Sequence, residues 1–421
     1  MNTDSLARRA ATLLEKADAK GAAAMARRAL AEEGDPGRSI RLRMLLADAL
    51  VAMGDTAEAV EVLKMVSVIL DDRAGIADAT VAPETARAHV LGRRRLGGPG
   101  PPKDMIEAQR WAERLAAVGG ARSDRRLLAE GQLLLGLVAA MGGRPWRARH
   151  HADMAAEMAP SSRRRLPVDF AALLALVWWL GDRPRRAIQT IDLLGRDRPG
   201  ERSVRAAARF DLGEVDRASR EAELAWEGAG PPGALEAIGG LLAWPSTEPQ
   251  LAVQAAEAVA AAHRSDQPLM LPHLVLSLAA RALYRSRRRQ AGVELAREVR
   301  DAIEGPWPRG AAVYALEVLE DEENLARSEA HSFSALRAER LGAIRAPDPH
   351  ALRRLHREFE AAGLLFESAQ TLVDAGRAAA VLGLDGRRMM SDGAERLLAL
   401  GARADARRVR AEMARAAGPG Q

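Results

Sequence analysis

Between Ala129 and Pro160 the hydrophobic and polar positions predict two helices joined by a tight turn. Leu133, Leu134, Leu137 and Val138 recur at helical spacing and form one apolar stripe. Gly136 stands inside that stripe, where glycine costs about 1 kcal/mol relative to alanine. Its presence there predicts a second helix crossing too close to admit a Cβ. Gly142-Gly143 predicts the turn, because glycine takes positive φ freely. Pro145 suits the first turn of the next helix, whose amides lack intrahelical acceptors. That helix carries Ala148, Ala152, Ala155 and Ala156, small enough to let backbones approach, and Pro160 stops it.

The unit echoes along the chain. Leu46-Ala47, Gly54, Ala59 and Leu63 hold the corresponding places upstream. Gly181 to Ala187 (GDRPRRA) repeats Gly142 to Ala148 (GGRPWRA), and Gly213 to Ala218 supplies a further turn. Leu135, Gly136, Gly143, Ala148, Ala155 and Pro160 fall on the small and large positions of a repeat of roughly 34 residues, and the chain resembles the tetratricopeptide family. The resemblance implies an all-α fold, a right-handed α-solenoid of antiparallel helical hairpins with irregular repeats. A plain helical bundle with glycine turns is the alternative. The stack is favoured because one hairpin cannot bury its apolar face alone and needs neighbours. A curved trough along the stack is then the expected binding surface.

In chain order, residues 5–32 predict a hairpin broken at Gly21, and 38–70 a second one turning at Gly54-Asp55. Residues 1–91 thus form amino-terminal hairpins. The stretch 92–104 is rich in Gly, Pro and Arg and reads as a linker or long loop, against connections of about 4–6 residues elsewhere. Residues 105–416 form the main array and 417–421 a disordered tail. Helices are expected near 105–118, 124–142, 167–180, 184–195, 234–242, 248–263, 268–285 and 287–304, with a shorter pair over 201–227. Others are expected near 309–320, 322–344, 348–362, 364–382, 386–400 and 403–416.

Within that last region, Phe359, Gly363, Phe366-Glu367, Ala369, Leu372, Gly376, Leu382-Gly383, Ala394, Leu400-Gly401-Ala402 and Ala406 form a second pattern. Phe359 to Met413 resembles the final repeats of large ATP-dependent LuxR-type, maltose-regulator-like transcriptional regulators. The resemblance covers packing positions, so it implies no catalytic role. Those regulators carry a phosphate-binding loop, GxxxxGK[ST], and a helix-turn-helix, and neither is found here. The chain is therefore expected to be a freestanding relative of their sensor region or a piece of one.

Composition narrows the chemistry. Apolar residues make up 48% and aromatics 3%, while the good helix formers Ala, Leu, Arg and Glu dominate. With no cysteine, disulfides and thiolate sites are excluded. The amino terminus lacks a signal peptide's apolar core, and the longest apolar run, Phe170 to Leu180, is too short to span a bilayer. A cytoplasmic location with no membrane contact is expected. The pI near 10.1 overstates basicity, since the net charge is only +5. Of 62 basic residues only four are lysine, and little titrates between neutrality and pH 10. The clusters Arg93 to Arg95, Arg163 to Arg165 and Arg287 to Arg289 read as helix-end charges, where cations complement the macrodipole.

No metal, cofactor or catalytic site is expected. Adjacent His150 and His151 point about 100° apart on a helix and cannot share an ion. The acidic run Glu320 to Glu323 reads as a solvated helix start, and neither a GxSxG elbow nor a Rossmann fingerprint is present. Tryptophan stands out, at Trp111, Trp146, Trp178, Trp179, Trp226, Trp244 and Trp307. Trp178 and Trp179 are neighbours and are not expected to share one core stripe. One reading buries one of them and half-buries the other. The second sets Trp178, Trp179 or Trp146 on the trough beside Arg147 or Arg183, an aromatic–guanidinium recognition pair. Gly136, Gly142, Gly143, Ala148, Pro160, Gly181 and Gly383 are read as repeat-packing residues. The expected function is a non-enzymatic binding or regulatory module for a protein segment or small inducer, in bacterial transcriptional regulation or signalling. The alternatives are a constitutive scaffold and, third, a nucleic-acid-binding array; oligomers are compatible with any of these.

Overall fold

A computed structural model describes residues 3–15, 18–34, 36–53, 102–121, 123–159, 170–181, 183–227, 234–264, 272–302, 313–319 and 332–416, with scattered positions over 55–69. Pro160, Gly54, the arginines at 93–95 and 163–165, Trp307, the acidic run at 320–323, residues 92–101 of the linker and the tail at 417–421 lie outside the described residues.

Every described element is a helix, and no strand occurs among the described residues. The fold is an all-α helical repeat. In order they are α1 (Thr3–Glu15), α2 (Ala19–Ala31), α3 (Pro36–Met53), α4 (Pro102–Ala121), α5 (Arg125–Met141), α6 (Pro145–Met158) and α7 (Phe170–Leu180). Next come α8 (Pro184–Leu194), α9 (Pro199–Asp211), α10 (Val215–Glu227), α11 (Ala234–Thr247), α12 (Pro249–Arg264), α13 (Pro272–Arg285) and α14 (Arg289–Asp301). The series ends with α15 (Val313–Val318), α16 (Ser332–Arg345), α17 (Pro349–Ala361), α18 (Leu365–Val381), α19 (Arg387–Ala399) and α20 (Arg403–Ala416).

One turn recurs between paired helices. Among the described residues from Asp18 to Ala402, ten amides donate to the carbonyl five residues earlier, closing the helix behind them. At several of these turns the residue before the donor takes left-handed φ. Gly213 at +81° and Gly401 at +88° do this without strain, whereas Ser123 at +53° and Arg287 at +70° carry a Cβ into that region. At several turns the donor is an aspartate whose carboxylate also caps the next helix: Asp18 accepts from Gly21, and Asp348 from His350 and Ala351. This corrects the break expected at Gly21. The chain turns at Asp18 and Gly21 lies inside α2, because the aspartate cap fixes the start. The helix expected over 234–242 also runs on to Thr247, through Pro245.

The contacts divide the chain into two compact units: Met1–Ala139 with Trp146–Val177 and Ala261–Pro272, and Ala140–Pro145 with Trp178–Ala260 and His273–Gln421. The division runs through the hairpin of α5 and α6, where the sequence offers no linker. In the first unit one apolar cluster joins Ala22, Ala26, Ile40, Ala47 and Leu50 of α2 and α3 to Leu115 of α4 and Leu134 of α5. Helix crossings here are close. A Cβ on Gly136 would lie 3.1 Å from Val177 Cγ1 and 3.4 Å from the Ala148 carbonyl, and one on Gly131 would lie 2.6 Å from the Ala116 amide. Ala148, Ala152 and Ala155 are fully buried.

The second unit uses the same device between neighbours. A Cβ on Gly239 of α11 would meet the Ser203 carbonyl of α9 at 2.6 Å, and one on Gly376 of α18 would meet the Gly386 carbonyl at 2.7 Å. Here the first helices of separate hairpins also face inward onto each other. Phe210 of α9 stacks tilted on Phe366 of α18 at 4.8 Å, and the Val215 amide donates to the Leu400 carbonyl.

Candidate functional site

The proposed aromatic site is dispersed. Helix α7 is apolar on every face and buried along its whole length, so both Trp178 and Trp179 are enclosed, at 4% and 3% exposure. The two are neighbours around a helix with no solvent side, which corrects the expectation of one half-buried indole. Trp179 Nε1 donates to Asp211 at 2.7 Å, satisfying its only polar atom. The guanidinium near Trp178 is that of Arg186, 6.0 Å from the ring, while Arg183 is exposed and gives its backbone amide to the Trp178 carbonyl. In the first unit Trp146 is 61% exposed at the start of α6, with Arg147 5.0 Å above its ring. Gly143 has the left-handed φ of a turn, +69°, as has Gly383 at +73°. Gly142 and Gly181 stand in turns without it.

His150 and His151 do not converge on a ligand. Their rings tilt at 55°, and His151 Nδ1 pairs with Gln132 at 2.8 Å. Burial, with help from His150 and Arg147, lowers the His151 pKa below its ordinary value. No group of three metal-ligating side chains occurs among the described residues. Ser368, His356 and Glu360 do line up, with Oγ to Nδ1 at 2.7 Å and Nε2 to carboxylate at 3.8 Å. Ser368 is 1% exposed between α17 and α18, so no substrate reaches its hydroxyl.

The feature that sequence reasoning missed is ionic. On the inner faces of the second unit, Glu367 of α18 takes Arg281 of α13 at 2.9 Å and Arg340 of α16 at 2.9 Å. Arg340 also grips Asp374 at 2.7 Å, and Arg281 reaches Glu317 of α15 at 3.3 Å. Asp374 pairs with Arg377, which in turn binds Glu412 of α20. Arg285 of α13 binds Asp405 of α20 at 3.1 Å and lies 4.7 Å over the Phe366 ring. Burial opposes the charge of Arg340, but Asp374, Glu367 and Glu317 outweigh it and hold its pKa above the usual guanidinium value. Arg285 behaves oppositely, because burial outweighs Asp405 and its pKa falls. The pairs are 86 and 120 residues apart along the chain, so no local pattern announces them.

Among the described residues, each unit has a cleft open to solvent. In the first unit a cleft of ≈ 220 Å³ lies between α1 and α3, lined by Thr3, Ala7, Arg8, Glu33, Arg38, Arg41 and Leu42. In the second a cleft of ≈ 510 Å³ is lined by Asp216, Ser219, Arg220, Glu223, Thr247, Glu248, Arg403 and Arg407. The larger carries three arginines against three carboxylates. The smaller is lined by three arginines and one carboxylate. No described helix is long and apolar enough to cross a membrane.

A family model of the tetratricopeptide repeat matches residues 13–78, from the last turn of α1 through α2 and α3. No curated protein matches the chain. Among solved structures, yeast Tom70 is similar over 98% of this chain and 89% of its own, at 14% identity and a TM-score of 0.35. The Naa15/Naa10 complex bound to HypK-THB is similar over 97% of this chain and 67% of its own, at 15% identity and a TM-score of 0.21. The family match shows tetratricopeptide sequence in the amino-terminal hairpins.

Proposed function

We propose that the chain is a protein-interaction module whose amino-terminal hairpins receive an acid-bearing segment of a partner. The observation behind this is the cleft between α1 and α3, lined by Arg8, Arg38, Arg41 and Glu33, beside the matched repeat. Successive first helices of a repeat stack present such a face to an extended or helical peptide. Charge complementarity there sets orientation and on-rate more than raw affinity. Trp146 with Arg147 offers a second contact on the same unit, since exposed Trp and Arg are enriched among residues that dominate binding energy. A photo-crosslinking amino acid at Arg41 tests the cleft in extract from the native host. Adducts to a protein are expected, and they disappear when Arg38→Glu is added; adducts undiminished by Arg38→Glu, or none to protein, count against it.

A regulatory sensor, binding a small inducer or partner in bacterial transcription, is the second reading. It rests on the resemblance of Phe359 to Met413, whose matching positions Phe359, Phe366, Ala369, Ala394, Ala402 and Ala406 are all buried packing residues. A small molecule that raises the melting temperature with no protein partner present favours this reading, because a ligand of the native state alone stabilises it.

A further inference from the structure

Helices α9, α11 and α13 meet the carboxy-terminal helices of their own chain, and the joint carries ion pairs between residues far apart in sequence. Neighbouring helices of the unit combine close glycine contacts with ion pairs such as Arg205–Glu221 and Arg340–Asp374. The joint between α9–α13 and α18–α20 includes Arg281–Glu367, Arg285–Asp405, the exposed pair Arg403–Asp216, a bond from Arg408 to the Arg285 carbonyl and the backbone bond from Val215 to Leu400. Its apolar contacts include the Phe210–Phe366 pair and the turn of Gly213, whose missing Cβ leaves room for Leu365 and Leu400.

Withdrawing paired charges from water costs about as much as their attraction returns. Such a joint specifies one closed arrangement while adding little net energy. It is also incompletely satisfied: Arg285 Nη1 is buried without a hydrogen-bond acceptor, and burial lowers its pKa. Two left-handed glycine turns, Gly213 and Gly401, abut at its edge, the second so close that a Cβ would strike the Asp216 carboxylate at 2.5 Å.

We propose that α18–α20 form a releasable clasp, an autoinhibitory contact that covers the inner face of α9, α11 and α13 until a partner segment displaces it. The chemistry of the occupant defines the competitor. Helix α18 offers adjacent Phe366 and Glu367 to Phe210 and Arg281, so the displacing segment is helical and carries an aromatic beside an acid. This rests on the protein-interaction reading above, but its test needs no natural partner.

Hydrogen exchange on the unaltered chain is the first test. Amides of α18 and α20 are expected to open together, before those of α9 and α11, as a sub-global unit. If all four exchange only with global unfolding, the clasp does not exist. The second test uses a fluorescent peptide with the sequence Leu365–Val381. Its Kd is expected to fall about tenfold for the Asp405→Asn chain relative to wild type, as the competent fraction rises. A peptide altered at Phe366 and Glu367 loses that binding. Equal affinity for both proteins overturns the proposal even if Asp405→Asn is partly unfolded, because hydrogen exchange on the same sample reports whether α9–α13 remains closed. Opening without any partner captured at the α1–α3 cleft leaves the clasp standing and removes the interaction reading, so the two fail separately.

Discussion

The hairpin of α5 and α6 and the inner face of α13 and α18 show two ways of holding helices together. In the first, Gly136 and the buried alanines of α6 bring backbones within van der Waals contact, and the polar contacts between the helices are single hydrogen bonds such as His151–Gln132. In the second, Arg281, Arg340 and Glu367 meet at hydrogen-bond distance with 6%, 13% and 7% of their side chains exposed. Close apolar packing is stable and tolerant only of small side chains. Buried ion pairs are selective about partners and costly to leave half made. The contrast predicts that the two regions break in different ways.

The largest effect is expected at Arg340. Replacement by methionine keeps most of the volume but strands Glu367 and Asp374 with fewer cations, at a cost of about 3–5 kcal/mol. Urea unfolding followed through tryptophan fluorescence reads this; a loss below about 1 kcal/mol would mean that water already screens the cluster. In the other region Gly136→Leu forces a side chain against Val177 and the Ala148 carbonyl. Overpacking of this kind costs about 1–3 kcal/mol, and an unchanged denaturation midpoint would show that α5 and α7 can separate freely. The smallest effect has the opposite sign. Arg287→Gly removes a Cβ from a left-handed residue and is expected to stabilise the α13–α14 turn by about 0.5–1 kcal/mol. A lower melting temperature would show that the arginine side chain contributes more than its strain.

These differences track what was legible in the sequence. Gly136, Gly143, Pro145 and Ala148 announced the apolar hairpin, because each encodes a local backbone requirement. The bounds of α18, α19 and α20 fell within two residues of the expected spans for the same reason. Turns without glycine were harder. Ser123 and Arg287 adopt the same left-handed conformation as Gly213, yet neither residue type signals it. Gly21 misled because Asp18, three residues earlier, sets the boundary through its carboxylate. The inner face was invisible. Arg281 and Glu367 look like ordinary surface charges on amphipathic helices, and only the closure of the chain brings them together. Trp178 and Trp179 were misjudged in part because helical periodicity assumes a solvent side, which α7 lacks.

The central claim is that the inner face of the second unit is held by specific charge pairs. A double-mutant cycle on Arg281→Ala and Glu367→Ala, read as the opening free energy of α18 amides by hydrogen exchange, tests it most directly. The account predicts a coupling of about 1–3 kcal/mol between the two positions. Additive losses, with coupling within about 0.3 kcal/mol of zero, would show that the two side chains do not act on each other and would contradict it.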